Sequence, residues 1–213
     1  MLLHLDGKFA YLALTKTGST SVETALRPHC QIAFSGDHRV SHMPAHHFER
    51  FLRPYLEECG FHGIDTVAQI RHPVDWLESW WRYRSKPQSG EPWTDTSGVK
   101  FEQFALEYVN GEDRPYLGMH RPLGCVCDDS GNQQADILFR YEDMKLLQEF
   151  LEHRIGQPLP LPRHNTSPRR WARLGRRARA QVEAFFAPEM SLCESATIRD
   201  PTLRIRDPQK DMH

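Results

Sequence analysis

Phe9-Ala-Tyr-Leu-Ala-Leu-Thr-Lys-Thr-Gly-Ser-Thr-Ser21 is an apolar run that breaks into a small polar loop carrying one lysine. The run from Phe9 to Leu14 is too short and too apolar for an exposed helix, and reads as a buried strand. From Thr15 to Ser21 every residue is Lys, Gly, Ser or Thr. Val22, Ala25 and Leu26 then recur at helical spacing, so a helix is expected over Ser19–Leu26. A strand, a glycine turn and a helix N-terminus make an anion site, because the first backbone N–H groups of a helix lack partners. Gly18 allows close backbone approach, Lys16 adds a full positive charge, and Thr17, Ser19, Thr20 and Ser21 add hydroxyls. The combination suits a phosphate.

The loop is not the common nucleoside-triphosphate loop, which places Gly-Lys-Ser/Thr at the helix entrance. Here Lys16 precedes Gly18, and no glycine lies between Lys8 and Gly18. An ordinary turn capped by Ser19 or Thr20 remains the competing reading of the loop alone. A second stretch adds to it. Asp65-Thr-Val-Ala-Gln-Ile70 is another short apolar strand candidate, followed by Arg71-His-Pro-Val-Asp-Trp-Leu-Glu-Ser79-Trp-Trp-Arg-Tyr-Arg84. Pro73 suits the first turn of a helix, where its missing N–H costs nothing. Arg71 therefore sits at a strand's carboxyl end and Ser79 about two turns into the next helix. On a 3.6-residue period Asp75, Ser79 and Arg82 share one face, and Trp76, Trp80 and Tyr83 share another, read as core packing. Arg71 and Ser79 can both address the crevice above the sheet, where open α/β folds bind ligands.

In this order the two elements resemble the cofactor motifs of sulfotransferases that use 3′-phosphoadenosine-5′-phosphosulfate (PAPS). Lys-Thr-Gly-Ser-Thr-Ser is similar to that family's 5′-phosphate loop, and Arg-x-Pro followed five residues later by Ser is similar to its 3′-phosphate motif. Phe139-Arg-Tyr-Glu-Asp-Met144 resembles a strand-end signature of the family, and His164-Asn-Thr-Ser167 its C-terminal Asn-x-Ser segment. The resemblance implies a P-loop NTPase-like fold, PAPS as sulfuryl donor and no metal. It implies Lys16 at the bridging oxygen, with Thr17, Gly18, Ser19, Thr20 and Ser21 on the 5′-phosphate. Arg71 and Ser79 would hold the 3′-phosphate, and Arg169 or Arg170 would be a secondary phosphate or acceptor contact. His42, before Met-Pro-Ala, best resembles the position of the family's catalytic base, with His38, His46, His47 and Glu23 as competitors.

Two departures stand out: His follows Arg71 where Asp or Asn is commoner, and the C-terminal basic-glycine motif of cytosolic small-molecule enzymes is not evident. The latter points to the carbohydrate-type branch, with a glycan or glycolipid hydroxyl as acceptor. The alternatives are a nucleotide kinase-like phosphotransferase, or a relative that binds nucleotide without turnover. A kinase needs a glycine-lysine loop, which is missing, and magnesium-binding carboxylates, for which Glu142 and Asp143 are the candidates.

Across the whole chain, strands and helices alternate, which argues for a three-layer α/β/α fold with a mainly parallel central sheet. Short strands are expected at Gln31–Phe34, Thr66–Ile70, Leu123–Cys127 and Ala135–Tyr141. Helices are expected at Pro44–Cys59, Pro73–Arg84, Phe101–Val109 and from Tyr141 to Ile155. A further apolar stripe runs through Trp171, Leu174, Ala178, Val182 and Phe185. Ser85–Val99 reads as a loop that could close over an acceptor. One domain over 1–195 with a tail at 196–213 accounts for the 213 residues. A net charge of -1 excludes a broadly basic nucleic-acid coat. No apolar run reaches membrane-spanning length and residues 1–8 are no signal peptide, so a cytoplasmic, bacterial-type enzyme is expected. The 5 cysteines are scattered and odd in number, which speaks for reduced packing thiols rather than a disulfide framework.

Overall fold

The computed structural model describes residues 1–86, 94–162 and 170–196. Five strands form one mixed sheet in the order β3-β1-β2-β4-β5: β1 Leu2–His4, β2 Phe9–Leu12, β3 Ile32–Ala33, β4 Asp65–Ile70 and β5 Ile137–Arg140. The strands β2, β4 and β5 are parallel, whereas β1 is antiparallel to both of its neighbours. One strand, β1, therefore runs against the other four of a sheet expected to be mainly parallel. The cause is a hairpin: the chain turns between β1 and β2 with Lys8 at φ 53 and its N–H on the Leu5 carbonyl. Gly7 is obligatory there, because a Cβ would stand 2.6 Å from the Arg154 carbonyl and from His4 Nδ1. Phe9–Leu14 pairs only as far as Leu12, and Gln31–Phe34 only at its middle two residues.

Strand residues alternate between two cores. Leu3, Ala10, Leu12, Ala68, Ile70 and Leu138 pack on one face against the continuous rod made by α3 Ala45–His47, a π turn Phe48–Leu52 and α4 Arg53–Glu58. The short helices α7 Leu123–Val126 and α10 Ala187–Ala196 join that layer through Val126 and Cys193. On the other face Leu2, Phe9, Tyr11, Val67, Ile137 and Phe139 pack on α1 Ser19–Leu26 and α8 Met144–Ile155. A third cluster joins α5 Pro73–Arg84, α6 Phe101–Val109 and α9 Arg176–Phe185 around Trp76, Phe104 and Val182. Among the described residues no helix is long and apolar enough to cross a membrane.

The helices α1, α5 and α6 carry the bounds the apolar periodicity predicts. Leu123–Cys127 does not form the expected strand: Pro122 leads into a helical turn, and only Cys127 bridges to Gln133. Short apolar runs do not distinguish the two states, and here Asp128, accepting from the Ser130 and Asn132 N–H groups, closes the turn that follows. Cys125 and Cys127 thus lie at a helix end, both packed in the first core. The late stripe begins helical structure only at Arg176. Gly175 is extended, its N–H is held by Glu102, and Trp171 is 92% exposed.

Candidate functional site

The carboxyl ends of the three parallel strands converge on one spot. The turn after β2 enters α1 through Lys16 at φ 65 and Gly18 at φ 75, both left-handed. A lysine in that region is strained, and such strain persists only where the surroundings enforce it. Two contacts do so: Thr17, buried, donates its hydroxyl to the Leu14 carbonyl at 2.9 Å, and Arg71 Nη1 donates to the Lys16 carbonyl at 3.2 Å. Gly18 also sits in tight quarters. A Cβ there would lie 3.0 Å from Met144 Cε and 3.2 Å from Tyr141 Cε2. As helix N-cap Gly18 supplies no side-chain acceptor, and the first turn holds no acid. The N-terminus of α1 thus has neither a side-chain cap nor a first-turn acid, an arrangement that favours negative charge.

The end of β4 delivers Arg71 and the end of β5 delivers Tyr141, whose ring lies 4.4 Å from the Arg71 guanidinium carbon. Arg71 Nε is buried without a hydrogen-bond partner. The last turns of α5 complete the site. Lys16 Nζ stands 3.9 Å from the Tyr83 ring centroid and 5.3 Å from that of Trp80, and Arg84 lies 5.1 Å from the same Trp80 ring. Burial first, then the charges of Lys86, Arg71 and Arg84, push the Lys16 pKa down to about 8. Among the described residues Lys16, Arg71 and Arg84 form no ion pair with a carboxylate. Such a cluster of cations favours an anion strongly.

His42 is brought to the same loop. It caps the short helix α2 His38–Ser41, and its Nδ1 lies 2.6 Å from the Ala13 carbonyl. A carbonyl only accepts, so Nδ1 carries the hydrogen and the neutral ring keeps its lone pair on Nε2. The competitors are placed otherwise. The His38 side chain is 84% exposed beside Asp37. His46 and His47 pack edge to face, with His47 also on Phe51, and His46 Nδ1 is buried without a partner. Glu23 Oε1 lies 3.5 Å from the amino group of Met1.

The remaining predicted residues divide. Ser19 is buried, Ser21 half-buried and Thr20 exposed in the first turn of α1; Ser79 is half-buried on α5 beside Trp80. Arg170 goes elsewhere: its guanidinium lies 3.8 Å from the Trp81 ring centroid and donates to the Thr96 and Ser97 carbonyls, which ties segment 94–99 to α5. Arg82, on the face expected to carry Ser79, pairs with Glu78 and donates to the Arg170 carbonyl. Arg169 and residues 87–93 of the expected acceptor loop lie outside the described residues. Of the stripe read as core, Trp76 is buried and Trp80 packs half-buried on the same cluster, while the Trp80 and Tyr83 rings also meet Lys16. Tyr141 was also missed, although the first residue after a parallel strand is where such folds place ligand contacts. A groove of about 190 Å³ lined by Leu5, Lys8, Gly60, Phe61, His62 and Ile64 lies at the opposite, amino end of the strands.

Comparison of the chain with protein-family models, with curated proteins and with solved structures returned no match. The site's own chemistry therefore carries the functional reading: an α/β protein with a cluster of cations at the carboxyl edge of its sheet.

Proposed function

We propose that the chain is a PAPS-dependent sulfotransferase of a P-loop NTPase-like type, acting on a hydroxyl of a glycan or glycolipid. The observation that carries this reading is the bond from Arg71 to the Lys16 carbonyl. It joins the two phosphate elements, 55 residues apart, over an uncapped helix N-terminus. The residues fit a bisphosphorylated nucleotide: two cations without a carboxylate partner among the described residues, a left-handed glycine in tight quarters, and a helix N-terminus without a side-chain cap.

The donor supplies a sulfuryl group on a phosphate oxygen. As the acceptor oxygen bonds to sulfur and the bridging bond breaks, charge grows on the bridging oxygen. Lys16, protonated for the most part at pH 7, and the N–H groups of α1 stabilise that charge. Arg71 and Ser79 fix the 3′-phosphate, so binding energy remote from sulfur serves positioning. His42 Nε2 takes the acceptor proton, its ring oriented by the Ala13 carbonyl.

The test is transfer of labelled sulfate from PAPS to a panel of oligosaccharides and glycolipids. Transfer should occur and fall by about 10²–10⁴-fold in His42→Ala while nucleotide affinity is kept. Phosphate transfer from magnesium-ATP in its place would establish the kinase alternative. Bisphosphate binding with no transfer to any acceptor would leave a non-catalytic relative.

A further inference from the structure

We propose that Trp80 and Tyr83 are positioning residues for Lys16: the two rings seat its ammonium group while the loop is empty and yield it to an anion that enters. This rests on reading the loop as an anion site, and not on sulfuryl transfer.

The seat is built from both ends. Under Lys16 the backbone is held left-handed with its carbonyl bonded to Arg71, so the side chain leaves the loop in one direction. At its tip the Tyr83 and Trp80 rings stand 84° to one another with centroids 5.9 Å apart, a two-walled corner, and Nζ lies over both. The walls are anchored in turn. Trp80 packs edge to face on Trp76, which is buried against Tyr108 and Phe186. Trp80 Nε1 is itself buried without a partner.

Among the described residues the charged groups facing the ammonium are Arg71 from the end of β4, and Arg84 and Lys86 from the end of α5, all of them cationic; the Tyr83 hydroxyl also faces it. Lys16 is therefore held by ring quadrupoles against like charges. Attraction to a quadrupole is weak and short-ranged beside attraction to a full charge, so a phosphate in the loop outcompetes the rings. Arg84 lies against the same indole ring and keeps a cation on it when Lys16 leaves. The lowered basicity of Lys16 agrees with a charge that has no carboxylate partner.

The experiment is competitive trace acetylation with peptide mass spectrometry, which reads the Lys16 pKa in ligand-free wild type, Tyr83→Phe, Tyr83→Leu and Trp80→Leu. Each variant is first checked for a cooperative melt. Removing a ring while keeping the site apolar should lower the Lys16 pKa by about half a unit to one unit, and Tyr83→Phe, which keeps the ring, should not move it. Inorganic pyrophosphate should raise the wild-type value by about one unit or more and erase the difference between wild type and Tyr83→Leu. Wild-type values in both leucine variants, a shift in Tyr83→Phe equal to that in Tyr83→Leu, or a difference that survives pyrophosphate would each overturn the proposal. With either leucine variant unfolded, the other one and the phenylalanine variant still decide. A Lys16 that answers pyrophosphate in a protein that ignores adenosine 3′,5′-bisphosphate would keep this inference and sink the sulfotransferase reading.

Discussion

At the amino ends of β2, β4 and β5, arginines meet carboxylates: Arg154 pairs with Asp65 and donates to the Gly7 carbonyl, and Arg53 bridges Glu49, Asp136 and the Ile64 carbonyl. At the carboxyl ends of the same strands, Lys16, Arg71 and Arg84 lean on Tyr83, Tyr141, Trp80 and backbone carbonyls. At the first edge the two arginines are paired with carboxylates, which ties the strands' amino ends together, although Arg154 Nε has no partner. The other holds Lys16, Arg71 and Arg84 together without a carboxylate partner among the described residues, beside the Arg140–Asp143 ion pair. A cluster of cations without a carboxylate partner among the described residues is the natural place to look for an anion.

The sharpest way to break this contrast is a crossed pair of variants. Arg71→Ala should weaken adenosine 3′,5′-bisphosphate about 100-fold or more, by calorimetry, while leaving denaturant stability nearly unchanged. Arg154→Leu should do the reverse, costing about 2–3 kcal/mol in urea melts because Asp65 loses its partner in a largely buried setting, with affinity per folded molecule intact. Equal losses of both properties in both variants would dissolve the distinction between the edges.

Lys16→Met sharpens it through pH. The folded Lys16 pKa of about 8 lies below the ordinary 10.5, so folding below pH 8 carries the cost of a charge that the unfolded chain holds freely. The methionine variant should thus be more stable than wild type by about 1 kcal/mol at pH 7, allowing for solvent screening. That advantage should shrink as pH rises from 8 to 10.5, where the unfolded lysine also loses its proton. A pH-independent difference would mean that the lysine is not strained electrostatically. The smallest effect belongs to Thr20→Ala, where loss of one exposed hydroxyl in the first turn of α1 should weaken the bisphosphate only a few-fold, without change in melting temperature.

Much of this edge could be read in the chain itself. The switch from Phe9–Leu14 to Thr15–Ser21 marks strand, loop and helix locally, and the apolar spacing of Ser19–Leu26 and Pro73–Arg84 sets both helices to the residue. What escaped is tertiary. Leu2-Leu3-His4 is too short to show a period, so the antiparallel partner of β2 was not foreseen. Helical period groups Trp76, Trp80 and Tyr83 on one stripe but does not say that its far end, while still packed on Trp76 through Trp80, also meets Lys16. Arg170 was grouped with the phosphate contacts by a neighbouring motif, yet Trp81 and two carbonyls claim it. Likewise nothing in the spacing of Ala13 and His42 announces their contact, which separates His42 from the other histidines.

The most direct measurement is calorimetric titration of the wild-type protein with adenosine 3′,5′-bisphosphate at pH 8, without metal, in two buffers of different protonation enthalpy. Micromolar binding with uptake of up to about half a proton is expected, because a phosphate beside Lys16 raises a pKa that starts near 8. Binding of magnesium-ATP alone, or of neither nucleotide, would contradict the assignment of this edge to a bisphosphorylated sulfuryl donor.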